Sequence, residues 1–212
     1  MIKIMEETKI MFCIMGKSAV GKDTVINNVT TIHNGVSKII PTTTRPMRGY
    51  EKNGHDYFFI TTNQFIKRIE NEQFMEYRHY DVVKENGKKD TWYYGTVFPK
   101  QQISVCTGSF EMYKYIINNP KVKDNVKVYP IYITVPEDER LYRMIRREHR
   151  NKTPNYREVA RRYIQDNIDF SAEKCQELGI TAECTFTNID RDKVVKDICD
   201  YIDDIIRKEG LK

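Results

Sequence analysis

The residues with the clearest chemical meaning stand near the start of the chain. Gly16-Lys17-Ser18-Ala19-Val20-Gly21-Lys22 spells G-x-x-x-x-G-K directly after the apolar run Ile10 to Met15. In such a loop two glycines let successive backbone N–H groups curl around a phosphate, and the N-terminus of the next helix adds partial positive charge. Lys22 then reaches the terminal phosphates of a nucleoside triphosphate. Asp23 stands where a hydroxyl normally follows the lysine to hold Mg²⁺, and Thr24 comes next, so Thr24 is the candidate metal ligand. A simple turn is the alternative, but the placement between a strand and a helix is the context that the phosphate-binding motif requires.

Two groups of arginines carry the rest of the chemistry. Arg45 and Arg48, three apart and followed by Tyr57, suit one dianionic phosphate, because two guanidinium forks and a hydroxyl can share its oxygens. The second group runs from Arg140 to Arg150 and continues in Arg157, Arg161 and Arg162. Within it Arg143 and Arg147 are four apart on one helical face, and Arg146 with Arg150 has the same spacing. A solvated helix face is the ordinary reading of such a cluster. Taken alone, Glu76 reads as a surface glutamate.

These residues need a scaffold, and the chain alternates short β-branched runs with helical stretches, the pattern of a parallel sheet covered by helices. Strands are expected at Lys9 to Met15, Ser37 to Ile40, Gln102 to Cys106, Lys127 to Val135 and Thr185 to Thr187. Helices are expected at Asp23 to Asn34, ended by Gly35, and at Ser109 to Asn118, Glu137 to Arg150 and Asp192 to Lys208. The stretch Pro154 to Leu178 reads as one long helix stopped by Gly179. A segment of different character, about Thr42 to Thr96, is rich in tyrosine, glycine and charge. In it Tyr57 to Ile60 and Phe74 to Tyr80 look like strands, and Asn86-Gly87 signals a hairpin turn between Val83 and Trp92.

Composition bounds the remaining possibilities. At 212 residues the chain suits one α/β core with an embellishment, and 40% hydrophobic with 31% charged residues excludes disorder or a fibrous repeat. The apolar run Ile10 to Met15 is too short for a membrane span or a signal-peptide core, so a cytoplasmic location is expected. Five cysteines, odd in number and without a C-x-x-C pair, suggest neither a disulfide framework nor a zinc site. A net charge of +5 admits nucleic acid, an anionic membrane or a small anionic substrate, and concentrated arginine favours the last.

The run Thr43-Thr44-Arg45-Pro46-Met47-Arg48-Gly49-Tyr50-Glu51-Lys52-Asn53-Gly54-His55-Asp56-Tyr57-Phe58-Phe59 resembles the guanylate kinase motif T-T-R-x-x-R-x-G-E-x-x-G-x-D-Y-x-F, shifted only at Gly49-Tyr50. The resemblance continues in Glu76 and in Tyr94-Gly95-Thr96, and is dense from Gly16 to Thr96. It implies a P-loop NTPase parallel sheet flanked by helices, with a mixed α/β GMP-binding subdomain inserted and a helical lid. The implied division is a core of 1–41, 97–136 and 180–212, a nucleoside-monophosphate subdomain of 42–96, and a lid of about 137–165. It also implies phosphorylation of GMP, and of dGMP, by ATP with Mg²⁺, in a monomer or homodimer that engages neither nucleic acid nor membrane.

By the same resemblance Gly16 to Thr24 and Asn188 bind ATP, with Thr24 as the Mg²⁺ ligand, while Thr42, Arg45, Arg48, Tyr57, Glu76, Tyr94 and Thr96 bind GMP. Lys22, Arg143, Arg147 and Arg162 then act on the transferring group. A buried carboxylate at Glu76 rejects adenine, which lacks the N1–H and N2–H donor pair of guanine. Three departures stand out. The stretch Ile103 to Gly108 lacks the acidic residues that the family carries at the strand end, leaving Glu111 as a substitute; Pro41 stands where a guanine-contacting serine is usual; and residues fall between Glu76 and Tyr94, near Val82 to Lys89, in excess of the typical number. Rival readings are a kinase of the same fold with a different phosphorylated acceptor, and a non-catalytic module binding phosphopeptide through Arg45, Arg48 and Tyr57. An intact Lys22 loop weighs against the second.

Overall fold

The computed structural model describes residues 9–49, 51–83 and 87–211. In chain order the elements are β1 (Lys9–Met15), α1 (Lys22–Ile32), β2 (Ser37–Lys38), β3 (Thr42–Thr43), β4 (Phe58–Phe59), α2 (Thr62–Glu70), β5 (Phe74–Val83), β6 (Lys89–Val97) and β7 (Ile103–Gly108). They continue with α3 (Phe110–Asn118), α4 (Pro120–Lys123), β8 (Val126–Thr134), α5 (Glu137–Glu148), α6 (Tyr156–Asp169), α7 (Ala172–Glu177), β9 (Thr185–Thr187) and α8 (Arg191–Lys208).

The central sheet has the order β2-β7-β1-β8-β9, and every neighbouring pair in it is parallel. A strand buried on both faces reads as a continuous apolar run, and β1 obeys that rule, with Ile10 to Met15 wholly buried. Its side chains alternate between two cores. Ile10, Phe12 and Ile14 pack with Val25, Ile26 and Val29 of α1 and with Val194, Ile198 and Ile202 of α8. Met11, Cys13 and Met15 face the other way, onto Phe110, Met112 and Ile116 of α3. Five residue runs in the sequence thus become one parallel sheet with helices on both faces, as expected.

The second sheet, in the order β4-β3-β6-β5, is mixed and comes entirely from the tyrosine-rich segment. β5 and β6 form the expected hairpin, with Val83 opposite Lys89; Asn86 lies outside the described residues, and Gly87 has φ +77°. Helix α2 within this segment was not expected. Its signal was nonetheless in the sequence, since Thr61 and Gln64 form a reciprocal capping box at its start.

The expected single helix from Pro154 to Leu178 is instead two. Asn155 caps the first, α6, which stops at Asp169. Phe170 then leaves helical geometry and turns inward between Phe110, 4.6 Å away, and Tyr132, 6.1 Å away. The Ser171 hydroxyl starts α7 by accepting the Lys174 N–H. Burial of an aromatic ring and a new cap together outweigh the helix propensity of the sequence on either side. Gly179 ends α7 with φ +66°.

Candidate functional site

Met15, the last residue of β1, lies beside Gly108, the last of β7, and beside Tyr132, two residues before the end of β8, so the three strands reach one edge of the sheet. Open α/β sheets bind ligands at that carboxyl edge. The loop from Gly16 to Lys22 fills the space between β1 and α1, and its two glycines are dictated by contact. A Cβ on Gly16 (φ +152°) would come within 2.4 Å of the Ile133 carbonyl oxygen, and one on Gly21 (φ +94°) within 2.5 Å of Asn188 Nδ2. Lys22 Nζ donates to the carbonyls of Gly16 at 2.6 Å and Lys17 at 2.9 Å, so it lies folded back over the loop that it closes. Burial lowers its pKa, opposed by the charges of Asp23 and Asp166. Thr24 and Asp23 are exposed on the first turn of α1.

The loop is held from outside by α5 and α6. Lys17 Nζ donates to Glu137 Oε1 and to Asn167 Oδ1, both at 2.7 Å. Asp166 accepts the Ser18 N–H at 2.8 Å and the Ser18 hydroxyl at 3.2 Å. Behind it Arg140, with no exposed surface, donates to Glu137 at 2.7 Å, to Asp166 at 3.1 Å and to Asn167 at 3.2 Å, and lies 4.1 Å over the Tyr163 ring. Arg140 stood in the sequence only as one end of the arginine cluster, and neither Glu137 nor Asp166 stood among the candidates. Partners 26 and 148 residues apart leave no mark in a single sequence.

Of the arginines expected to act from a lid, Arg147 and Arg162 line one cavity together with Ser18 and Ala19 of the loop. Glu158 accepts from Arg162 Nε at 2.8 Å within that wall. Arg143 lies apart from them. Its Nη2 donates to the Asn188 carbonyl at 3.1 Å, and its Nε to Glu139 at 2.7 Å. Asn188 is itself buried and donates through Nδ2 to the Val20 carbonyl at 2.8 Å, so its amide braces the underside of the loop. Arg146 and Arg150 are exposed and do not line the loop cavity.

The mixed sheet assembles the second half of the site. Arg45 is buried, and its guanidinium forms a two-pronged pair with Glu51, one prong at 2.8 Å, and also donates to the Pro46 carbonyl at 2.8 Å. Glu51 in turn accepts the Arg48 N–H at 2.8 Å, so one carboxylate orders both arginine positions. Hydrogen bonds from Arg45 hold the Glu51 carboxyl below its ordinary range. The Arg45 guanidinium lies 5.1 Å over the Tyr57 ring, and Tyr57 meets Tyr94 edge-on at 6.2 Å. Glu51 was present in the sequence motif, but only the fold shows what it does.

Glu76 and Thr96 face one another across the β5–β6 ladder, and Arg78 faces Tyr94 one step further along the same face. Glu76 is only 3% exposed, contrary to the ordinary surface reading, and accepts the Thr96 hydroxyl at 2.7 Å. Burial raises its pKa, with the Arg78 charge pulling the other way. Thr42 is fully buried and its hydroxyl accepts from Arg68 at 3.3 Å. Glu111, on the first turn of α3, is exposed, and its charge adds to the upward shift of Glu76. Among the described residues no three His, Cys, Asp or Glu side chains cluster as a metal site, and no helix is long and apolar enough to cross a membrane.

A sequence model described as guanylate kinase matches residues 8–209. Over 78 residues the chain is 42% identical to a guanylate kinase of Bacteroides thetaiotaomicron, covering 34% of this chain and 38% of that one. Over 67 residues it is 42% identical to a guanylate kinase of Thermotoga maritima, covering 32% of each. The matched stretch thus spans well under half the length of these curated relatives. The fold is similar to a crystal structure of guanylate kinase from Anaplasma phagocytophilum, with TM-score 0.55 and 19% identity, over 97% of this chain and 88% of that one.

Proposed function

Since the chain belongs to the guanylate kinase family, we propose that it transfers the γ-phosphoryl group of ATP to GMP, and to dGMP, giving ADP and GDP or dGDP. One observation carries this reading. A buried carboxylate with a hydroxyl beside it, Glu76 and Thr96, shares a sheet face with the Arg45–Tyr57–Tyr94 cluster, and the lysine loop stands at the edge of the neighbouring sheet. That arrangement suits a guanine base, its 5′-phosphate and a triphosphate tail.

In the proposed reaction an oxygen of the GMP phosphate attacks the γ-phosphorus of ATP. The bond from that phosphorus to the β–γ bridging oxygen breaks, and its electron pair stays on ADP. The nucleophile is already an anion, so no general base is required; catalysis consists of aligning two anions and offsetting their repulsion. Lys22 and the loop N–H groups hold the donor phosphates, Arg147 and Arg162 approach from the lid, and Arg143 acts from beside Asn188. Arg45, Arg48, Tyr57 and Tyr94 hold the acceptor phosphate, while Glu76, Thr96 and Thr42 form the base end. In this reading 42–96 serve as the monophosphate subdomain, about 137–165 as the lid and the remainder as the core.

The donor set fits Mg²⁺. That ion keeps several waters and takes its ligands chiefly from substrate phosphates, so the exposed Thr24 hydroxyl beside the loop suffices as the protein contribution. When bound, Mg²⁺ neutralises charge on the ATP tail. A cytoplasmic location accords with this chemistry. A coupled assay with ATP and, in turn, GMP, dGMP, AMP, CMP and UMP tests the proposal. Turnover should be confined to the two guanine nucleotides; turnover with AMP and none with GMP would defeat it.

A further inference from the structure

Glu76 does not wait empty for a base. Its Oε1 accepts from Thr96 at 2.7 Å and from Arg78 Nη1 at 3.1 Å, and its Oε2 accepts from the same Nη1 at 2.9 Å. A carboxylate offers about four acceptor sites, two on each oxygen. Three are taken, and the one remaining lies on Oε2. A guanine edge presents N1–H and N2–H side by side and needs one site on each oxygen. Guanine and Arg78 therefore cannot both be satisfied by Glu76, and Arg78 must release at least its bond to Oε1.

The released guanidinium has a destination. Arg78 Nε is tethered to the Tyr80 hydroxyl at 3.1 Å, and its central carbon lies 6.0 Å over the Tyr94 ring, between the base end and the phosphate end of the site. Its charge already acts on Tyr57, which carries Arg45 on its ring face. We propose that Arg78 is a specificity-determining residue that is handed over on acceptor binding, from Glu76 to the acceptor phosphate, when a guanine edge takes its place. Adenine has no donor pair to displace it, so AMP leaves Arg78 on Glu76 and meets a phosphate cradle one guanidinium short. Base identity is thereby read at the phosphate. The inference rests on the GMP reading given above.

The test measures dissociation constants of guanosine and of GMP, by calorimetry or NMR titration, for the wild type, R78M and R78K. The ratio of the two constants is the gain due to the phosphate. In R78M guanosine should bind more tightly, because its competitor is gone, and the phosphate gain should fall by about tenfold, the scale of losing one charge-assisted contact. R78K keeps a charge and should recover part of that gain. Thermal melting checks that each variant is folded, and R78K remains informative if R78M is not. Failure of the wild type to bind GMP would remove the GMP reading and this inference together. Wild-type binding of GMP with a phosphate gain in R78M within twofold of normal, or with guanosine weakened, would overturn the hand-over alone.

Discussion

Arg140 and Asp166 should be strongly coupled, and the size of the coupling follows from their surroundings. Asp166→Ala removes one partner of a guanidinium with no exposed surface, together with the acceptor of the Ser18 N–H and hydroxyl. Stranding a fully buried charge costs about 3–5 kcal/mol. Here Glu137 still neutralises Arg140, so about 2–3 kcal/mol is expected, a fall in Tm of about 4–12 °C for a chain of this size. Arg140→Met keeps the apolar stem and leaves Asp166 with two Ser18 donors and Glu137 with Lys17, so its cost should be about 1–2 kcal/mol. Once either partner is gone the other has less to lose, and the double variant should cost about 1–2 kcal/mol less than the sum. Urea unfolding of all four proteins measures this cycle. Additivity within about 0.5 kcal/mol would refute the idea that a buried pair ties α5 and α6 to the phosphate loop.

Lys22→Ala should lower turnover by at least about a hundredfold in the coupled assay, the scale of one pre-organised charge contact, and near-normal turnover would remove Lys22 from its role. Glu51→Gln should raise KM for GMP about tenfold, since Arg45 loses its two-pronged partner, with KM for ATP changing less than about twofold; equal increases would point to general loosening. Burial works against ionisation of Glu137, yet donors from Lys17, Arg140 and Tyr163 hold its carboxyl at about 2, below the ordinary 4.5. A depressed folded value means stabilisation that is complete above about pH 4.5 and lost as pH falls towards 2. Glu158, held down to about 2 by Arg161 and Arg162, loses its share in the same window. The Tm of the wild type should therefore fall more steeply there than that of Glu137→Gln, and equal slopes would refute the Glu137 assignment.

What the sequence discloses and what it hides divide along the range of the forces involved. The phosphate loop, β1 and the parallel sheet were legible because each is fixed locally, by glycine spacing, an unbroken apolar run and turn residues. Helix α2 went unread, although Thr61 and Gln64 carry its capping signal, because that signal sits inside a segment dominated by tyrosines. The break after Asp169 was not, because it depends on Phe170 finding Phe110 and Tyr132, contacts made only in three dimensions. Glu76 illustrates the limit best. It lies on a strand whose remaining residues are largely exposed, and only the hairpin partner Thr96 and the neighbour Arg78 reveal it as a buried acceptor.

The same geometry explains how so many cations are held together before any phosphate arrives. Arg45 leans on Glu51, Arg78 on Glu76, Arg140 on Glu137 and Asp166, Lys17 on Glu137, and Arg162 on Glu158. Each carboxylate fixes the orientation of its cation and offsets the desolvation of burial, which an isolated buried charge could not bear. These pairs fall into two kinds. The Arg45–Glu51 pair and the guanidinium of Arg140 are buried, so breaking the Arg45 pair, or the Arg140–Asp166 pair, leaves a charge unmatched away from water. Those of Arg78 and Arg162 are partly open, at 27% and 46% side-chain exposure, so their cations can change partners at lower cost. Under the proposed reaction, partner exchange belongs to the open pairs, while the buried ones hold their elements in place.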